Sequence, residues 1–479
     1  MLYRFQKPGL WKLRKLEIPC LPRIARMVRL RLIGFLLCAS KVIAQPAPNS
    51  TLAERGAAFA ALPDQRTGTE VLYSSAWDEI SNPNGVINFG TAENAAMLDE
   101  RARVVQEYKF QLKREHFNQT VGPWGSPRLR KALATHVNKY FKVHNTFNET
   151  EVTFATGVTA FFDLLGWSLF NTGDAILLGT PSYPGFANDF SKRAGVRPIF
   201  VSFNGTDQFT PESIPYYEAA IAQSSNEKFR AMVICNPHNP LGQSYPRETI
   251  IALMKFASKH KLHLIFDEVY ALSTHTIPGE EGGASFSSAF SFDSSEYIDQ
   301  KYIHLLYGTS KDFATFGLRL GALLTKNTEL TRAVFNQVTY YWPGNALQEI
   351  GSLILEDEAG KEAFVAKSSE TAARNSGRVR AVLDQAGVPY SRKANAGFFL
   401  WVDFGKFLPN VTGDQWAVER AFTQQLQRQN VFLSAGQGQR APRAGFYRLC
   451  FSQPDAALKE GLRRLVRAIG KDEGIVDSV

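Results

Sequence analysis

Three short stretches decide the fold of this chain: NPHNPLG at residues 236–242, DEVY at 267–270 and SKDFATFGLRLG at 310–321. Each follows directly on an apolar run, with AMVIC before the first, LHLIF before the second and IHLLYGT before the third. Apolar runs that end in Asn, Pro, Asp or Ser are typical of buried parallel strands. Ligands bind beyond the carboxyl ends of such strands, so we expect the three polar stretches to lie together at a ligand site.

The same alternation extends outward from these stretches. Helical patterns such as PRETIIALMKFASKH at 246–260 lie between the strand-like runs, and further runs occur at 176–181 (ILLGTP) and 321–326 (GALLTK). Strands that alternate with helices predict an α/β fold in which helices cover a mostly parallel sheet.

The last part of the chain has a different pattern. One long helical pattern covers about 346–386, and GFFLWVDF at 397–404 and FYRLCFS at 446–452 predict two strands. Because helix and strand no longer alternate here, we expect these elements to form a second, smaller domain.

Composition places the chain among globular proteins. Its 479 residues are 44% hydrophobic and 21% charged, which excludes a disordered tail, a fibrous protein and a disulfide-stapled miniprotein. The net charge of +9 belongs to the first 44 residues, which hold ten Lys or Arg and one acid, whereas the remainder holds 44 of each sign. A nucleic-acid-binding surface on the folded body is therefore not expected.

Residues 1–50 are predicted to be a basic leader. From Met27 the sequence MVRLRLIGFLLCASKVIAQPAP has the outline of a signal peptide, although Lys41 interrupts the apolar stretch. The apolar run at 32–39 is too short to span a bilayer as a helix. An organellar presequence and an upstream extension or misassigned start are the alternatives. We expect the folded body to begin near Thr51.

The cysteines favour a reducing compartment. Cys20 and Cys38 lie in the leader, and only Cys235 and Cys450 lie in the body, which excludes a disulfide framework and offers no Cys/His cluster for a metal. We therefore predict a cytoplasmic protein, with secretion or an organelle as the alternative. The N-x-S/T sequons, which would matter only after secretion, are at Asn49, Asn118, Asn148, Asn204 and Asn410.

The three stretches, in this order and with TAENAAM at 91–97 and TPSYPGF at 180–186, resemble the fold type I pyridoxal-phosphate enzymes of the class I/II aminotransferase family. GTSKDF followed by GLRLG is similar to the 1-aminocyclopropane-1-carboxylate (ACC) synthase-like branch, in its fungal natural-product form. The resemblance extends from about residue 52 to residue 470.

This resemblance implies an architecture. The family has a mostly parallel seven-stranded sheet in a large domain, expected here at 116–344. The smaller α+β domain is expected to combine 51–115 with a linking helix and C-terminal part at 345–479. It also implies a homodimer, because the family builds its sites at a subunit interface.

The resemblance assigns roles in holding the cofactor's ring. Lys311 matches the amine that attaches the aldehyde cofactor and shuttles protons. Asp267 matches the carboxylate that keeps the ring nitrogen protonated, while its neighbour Glu268 is expected to be structural. Asn239 and Tyr270 match the donors to the phenolic oxygen. Tyr183 matches the aromatic residue that stacks on the ring, with a buried core Tyr as the alternative.

Two further sets of residues follow from the same resemblance. Arg319, Ser310 and the backbone N–H groups of Val158 and Thr159 match the phosphate site, where a helix begins. TGVT alone predicts no more than a Gly-Thr turn. The substrate carboxylate is expected to bind Arg448, since an arginine within an apolar strand is costly to bury without an acidic partner. Glu93 matches an acidic position of the family's substrate site.

The chain departs from the family pattern at two places. The family's active-site Tyr is missing from the loop FNQTVGPWGSPRLR at 117–130, where Gln119 or Pro123 stands near its position. This argues against authentic ACC formation and indicates a different side-chain pocket, with Trp124 as a candidate wall. Gly308 replaces the phosphate-binding Ser of many relatives, and Ser310 is a candidate substitute.

The residues therefore predict a catalytically competent enzyme that takes an amino acid or an amino-acid-derived metabolite. We favour an aminotransferase of secondary metabolite biosynthesis, with a C–S (β-elimination) lyase or ACC synthase-like lyase as the alternative. A non-catalytic binding protein would be expected to lack Lys311. A regulator fused to a DNA-binding module would need a helix-turn-helix pattern, and the leader has none. No metal, nucleic acid or stable membrane span is expected.

Overall fold

The computed structural model describes residues 51–62, 72, 74–119, 121–410 and 412–478. The predicted leader at 1–50, with two of the cysteines and the sequon Asn49, lies outside the described residues. Among the helices that are described, none combines the length and the apolar character that a bilayer crossing requires.

The strands form one large sheet and two small ones. The large sheet has seven strands in the order β2-β8-β7-β6-β5-β3-β4, and the pairs β2–β8 and β8–β7 are antiparallel while the other pairs are parallel. The predicted α/β fold with a mostly parallel seven-stranded sheet is thus confirmed. The strands are β1 (Ile87–Asn88), β2 (Val152–Thr156), β3 (Ala175–Gly179), β4 (Arg197–Val201), β5 (Phe229–Cys235), β6 (His263–Asp267), β7 (Ile303–Gly308), β8 (Leu320–Thr325), β9 (Phe399–Asp403), β10 (Val431–Phe432), β11 (Ser434–Ala435) and β12 (Phe446–Cys450).

Helices cover both faces of the large sheet. The α-helices are α1 (Glu54–Ala60), α2 (Leu98–Glu107), α3 (Pro127–Tyr140), α4 (Val158–Leu169), α5 (Pro184–Lys192), α6 (Ile214–Gln223), α7 (Arg247–His260), α8 (Thr328–Phe335), α9 (Asn345–Glu356), α10 (Glu358–Ala386), α11 (Gln415–Arg428), α12 (Asp455–Ala468) and α13 (Gly474–Asp477). Local chemistry sets their ends: α3 begins where the Ser126 hydroxyl accepts from the backbone N–H of Leu129 at 3.2 Å, and α7 ends at Lys261 in the left-handed conformation.

The strands read as continuous apolar runs because both faces of the sheet are buried. In β6, Leu264 and Phe266 belong to one hydrophobic core, and Ile265 between them belongs to a second core on the opposite face. Successive residues of a strand point to opposite faces, so a strand covered on both sides is apolar at most positions. The buried exceptions are hydrogen-bonded: His304 within β7 bonds His263 of β6 and Thr325 of β8.

A third core belongs to the smaller sheets. β9, β12 and β11 form an antiparallel sheet, and β1 pairs in parallel with β10. Leu400, Val402, Tyr447 and Leu449 from this sheet are buried together with residues of α10 and α12. The domain boundaries after residues 115 and 344 stay predictions.

The single helical pattern predicted at 346–386 is two helices. α9 ends at Glu356 and α10 starts at Glu358, because Asp357 between them has ψ of 87° and its side chain accepts from the backbone N–H of Gly360 at 2.9 Å. An Asp that caps the next helix leaves the helical conformation itself. The break falls in the stretch EDEAGKEA at 356–363, which contains no proline, so the sequence does not mark it.

Candidate active site

A cavity of about 340 Å³ lies where the carboxyl ends of the central strands meet the start of α4 and the small antiparallel sheet. It is lined by every predicted site residue except Glu93: Val158, Thr159, Tyr183, Asn239, Asp267, Tyr270, Ser310, Lys311, Arg319 and Arg448. These residues come from six separate regions of the sequence, and all but Arg448, which lies on β12 of the small antiparallel sheet, are brought together at one edge of the large sheet.

Lys311 lies in the turn that follows β7. Its Nζ donates a hydrogen bond to the backbone carbonyl of Ala92 at 2.6 Å. Burial, together with the positive charge of Arg448, lowers the pKa of Lys311 to about 8, although Glu93 and Asp267 act in the opposite direction. An amine that titrates this close to neutral pH can act as a nucleophile and as a proton carrier.

Asp267 ends β6 beside the cavity. Burial raises its pKa to about 7, against a backbone hydrogen bond from Val269 and the charge of Lys311. The side chain is 5% exposed, and its Oδ1 is buried without a hydrogen-bond partner. A buried carboxylate oxygen normally has a donor. The site therefore fits a ligand with a polar hydrogen at this position.

The carboxylate of the neighbouring Glu268 is hydrogen-bonded within the protein. Its carboxylate accepts from the Ser288 hydroxyl at 2.7 Å and from the backbone N–H of Ala289 at 3.0 Å. Burial raises the pKa of Glu268 to about 8. These bonds tie the segment near residue 288 to the end of β6, which is the structural role expected of it.

Arg448 joins the small antiparallel sheet to the large one. In β12, Tyr447 and Leu449 point into the third core, so the alternation of the strand turns Arg448 toward the cavity. Its guanidinium donates to Asn239 Oδ1 at 2.8 Å and to the carbonyl of Gly90 at 2.6 Å. The Nε atom is buried and has no hydrogen-bond partner among the residues that the structure describes, which leaves a donor for a carboxylate ligand.

The start of α4 forms a cradle for an anion. The helix begins at Val158 after Gly157, whose φ of 88° suits glycine, and the N–H groups of its first turn point out of the helix end. A Cβ on Gly157 would lie 2.5 Å from Nη2 of Arg319. The missing side chain therefore lets Arg319 approach the helix N-terminus, and the two together suit a phosphate group.

One sequence expectation differs from the structure, and another stays a prediction. Trp124 does not line the cavity, because its ring stacks on Phe335 of α8 with 5.4 Å between centroids. Glu93 also lies outside the lining, yet its charge still acts on Lys311 and Arg319, and burial raises its pKa.

Some residues that line the cavity were not predicted from the sequence. Phe316 lies within the stretch at 310–321 but received no role, and Cys235 lines the cavity beside Asp267, its neighbour across β5 and β6. The carbonyls of Gly90 and Ala92, which accept from Arg448 and Lys311, are backbone groups, so no residue type could have pointed to them.

Residues 84–465 match the family model described as Aminotransferase class I and II. The chain belongs to this family. It is accordingly a pyridoxal-phosphate-dependent enzyme. The probable aminotransferase tcpI of Claviceps purpurea is 30% identical over 79% of this chain and 88% of its own length, and an ACC synthase of Nicotiana tabacum is 26% identical over 87% and 84%.

Solved structures show the same fold. A Thermus thermophilus aspartate aminotransferase tetra mutant complexed with tryptophan superposes with a TM-score of 0.67, over 88% of this chain and 100% of that one, at 18% identity. The aromatic aminotransferase of Pyrococcus horikoshii superposes with a TM-score of 0.65, over 82% and 97%, at 21% identity.

The cavity fits the cofactor on its own chemistry. The unpartnered oxygen of Asp267 suits a protonated ring nitrogen, and the cradle of Arg319 and the start of α4 suits a phosphate. Lys311 Nζ lies in the same cavity as both. This family member thus holds each kind of group that pyridoxal phosphate needs.

Proposed function

We propose that this enzyme is an aminotransferase that acts on an amino acid or an amino-acid-derived metabolite in secondary metabolite biosynthesis. One observation carries the proposal: Lys311, the unpartnered Asp267 oxygen and the unpartnered Arg448 Nε line one cavity. Two relatives, from Claviceps purpurea and Aspergillus fumigatus, are named probable aminotransferases and support the reaction class.

Different residues of the chain would bind the cofactor and the substrate. When bound, pyridoxal phosphate supplies an aldehyde that condenses with amines and a ring that withdraws electrons from the substrate's Cα. Asp267 would keep the ring nitrogen protonated, and Asn239 and Tyr270 would bind the phenolic oxygen. Arg448 would hold the substrate carboxylate and so orient the Cα–H bond toward Lys311.

Lys311 would move the proton. With a pKa of about 8, its Nζ is partly neutral at physiological pH and can remove the proton from the substrate's Cα. The carbonyl of Ala92, 2.6 Å from Nζ, gives the protonated amine an acceptor and keeps it in the cavity. Transfer of the amino group would then need this proton to be returned at a different carbon and a water molecule to release the keto acid.

A lyase that cleaves a C–S bond by β-elimination, or an ACC synthase-like lyase, is the second candidate. The similarity to the Nicotiana tabacum ACC synthase over most of both chains favours it. Both candidates need the same binding groups and the same removal of the Cα proton. They differ in the next step, since a lyase expels a leaving group from the substrate.

The test is an end-product assay on the purified enzyme with a panel of amino acids and a cysteine S-conjugate. An aminotransferase releases a keto acid and accumulates pyridoxamine phosphate. A C–S lyase releases a thiol and ammonia together with a keto acid and leaves the cofactor in its aldehyde form, so the thiol, the ammonia and the final form of the cofactor separate the two reactions. Lys311→Ala is the control and should abolish either product. Failure of the wild-type enzyme to take up pyridoxal phosphate would contradict the whole proposal.

We also propose a cytoplasmic homodimer. Exposed apolar side chains, including Ile80, Phe117 and Tyr340, support an interface, and the two body cysteines are free and buried, which suits a reducing compartment. Light scattering on the purified protein tests the dimer. Fractionation of cells that produce the full chain, with sequencing of the mature N-terminus, tests the location. A processed N-terminus in a secretory or organellar fraction would contradict it.

A further inference from the structure

The ring of Phe316 contacts two of the three cations that line the cavity, Lys311 and Arg319. It starts the single 3-10 turn Phe316–Leu318 between Lys311 and Arg319. The centroid of its ring lies 4.9 Å from Nζ of Lys311 and 4.8 Å from Cζ of Arg319. The side chain is 37% exposed and lines the cavity, so its ring is not simply part of a core.

The backbone around Phe316 is also shaped to hold Arg319. Arg319 has φ of 52°, a left-handed conformation that is costly for a residue with a side chain. Its Nη1 donates to the carbonyl of Phe316 at 3.2 Å, and its Nη2 lies against Gly157 on the other side. The guanidinium is thus fixed between the start of α4 and the Phe316 segment.

An aromatic face attracts cations because its π-electrons carry partial negative charge. Lys311 and Arg319 repel each other, and a ring in contact with both offsets part of that repulsion. A Leu or Met in its place would fill similar space without that charge.

We propose that Phe316 is a positioning residue, which holds Lys311 Nζ and the Arg319 guanidinium in place for cofactor binding and proton transfer through contact with its aromatic ring. The inference rests on the proposed function, since it concerns how this site holds pyridoxal phosphate and its lysine.

Four other charged or titratable groups lie around Lys311. Arg448 and Cys450 face it from β12, Glu93 from the segment before α2, and Asp267 from the end of β6. The ring of Tyr270 lies farther away, with its centroid 6.0 Å from Nζ. None of these groups changes in a Phe316 variant, and a loss of burial would raise the pKa of Lys311, so a lowered pKa reports the loss of the ring.

The experiment compares wild-type full-length enzyme with Phe316→Leu, Phe316→Met and Phe316→Tyr, and with Phe59→Leu as control. Phe59 in α1 is 42% exposed, close to the exposure of Phe316, and it does not line the cavity. The first measurement, on enzyme freed of cofactor, is the pH dependence of Lys311 acylation by acetic anhydride, followed by peptide mass spectrometry. The second is the dissociation constant of pyridoxal phosphate by fluorescence quenching.

We expect Phe316→Leu and Phe316→Met to lower the midpoint of Lys311 acylation by about half a pH unit, because the ammonium form loses a stabilising contact. The dissociation constant of pyridoxal phosphate should rise about two- to fivefold, because Arg319 is less well held. Phe316→Tyr should restore both values, since it keeps the ring.

Two results would overturn the proposal. One is a folded Phe316→Leu or Phe316→Met enzyme whose midpoint and dissociation constant equal those of the wild type. The other is an equal shift in Phe59→Leu. If Phe316→Leu does not fold, Phe316→Met still tests the proposal, because Met fills irregular apolar space more readily. A wild-type enzyme without affinity for pyridoxal phosphate would defeat the proposed function, whereas the acylation midpoints would still decide the role of Phe316.

Discussion

Gly308 faces Gly321 across the antiparallel pair of β7 and β8, and neither position has room for a side chain. A Cβ on Gly308 would lie 2.6 Å from the carbonyl oxygen of Leu320, and a Cβ on Gly321 would lie 2.2 Å from the backbone N of Val158. Two strands and the start of α4 therefore approach each other more closely than other residues allow. This accounts for the glycine at position 308, where the family resemblance predicts a phosphate-binding serine.

Replacing Gly308 with Ser should weaken the site, although it adds a hydroxyl near the phosphate cradle. The new Cβ would push β7 from β8, and forcing extra atoms into a packed region costs about 1–3 kcal/mol. We expect a lower melting temperature and a roughly tenfold or greater rise in the dissociation constant of pyridoxal phosphate. Gly317→Ser is the control, since a Cβ there meets nothing within 4 Å. Tighter cofactor binding in Gly308→Ser would refute this explanation of the glycine.

Replacing Asp267 with Asn should reduce activity far more than it reduces stability. Asn cannot carry the negative charge that favours a protonated ring nitrogen. We expect kcat/KM to fall by about 10²- to 10⁴-fold in a folded enzyme. The control is Asp189→Asn, because burial raises the pKa of Asp189 to about 6 but the residue does not line the cavity. A kcat/KM of Asp267→Asn within a few-fold of the wild-type value would show that the reaction does not need the carboxylate of Asp267.

The pH dependence of stability offers an independent check on Asp267. Its pKa is raised from 3.8 to about 7 in the cofactor-free protein, so between these values the folded state binds more protons than the unfolded state. The contribution to the free energy of unfolding is complete below about pH 4 and is lost as the pH rises through 7.

Asn at position 267 does not titrate. The unfolding free energy of wild type relative to Asp267→Asn should therefore decrease as the pH rises from about 5 to about 8. Urea denaturation of both cofactor-free proteins across this range measures the difference and cancels the buried histidines that both share. A difference that does not change with pH would mean that Asp267 is ionised in the folded protein throughout.

Replacing Arg448 with Lys should impair substrate binding despite the conserved charge. Lys has one nitrogen and cannot bond Asn239, Gly90 and a carboxylate in the fork geometry of a guanidinium. We expect kcat/KM to fall about 10- to 100-fold, mainly through a higher KM. Arg443→Lys is the matched control, since Arg443 forms an exposed ion pair with Asp403. An effect confined to kcat would place Arg448 in a role other than carboxylate binding.

The sequence by itself determined the main sheet and the composition of its site. Apolar runs followed by NPHNPLG, DEVY and SKDFATFGLRLG predicted parallel strands whose carboxyl ends carry the polar residues, because a strand buried on both faces is mostly apolar along its length. Asn239, Asp267, Lys311 and Arg319 all lie at the predicted edge. These motifs and their spacing can be recognised without knowledge of the tertiary structure.

The tertiary structure decided what each of these groups touches. Arg448 bonds Asn239 across 209 residues of sequence, and Lys311 bonds the carbonyl of Ala92 across 219. The ring of Phe316 contacts both Lys311 and Arg319 only because of how its turn folds over the cavity. Side-chain orientation, contact with a backbone carbonyl and the absence of room at a glycine depend on packing between distant segments, and no local pattern of residue types encodes them.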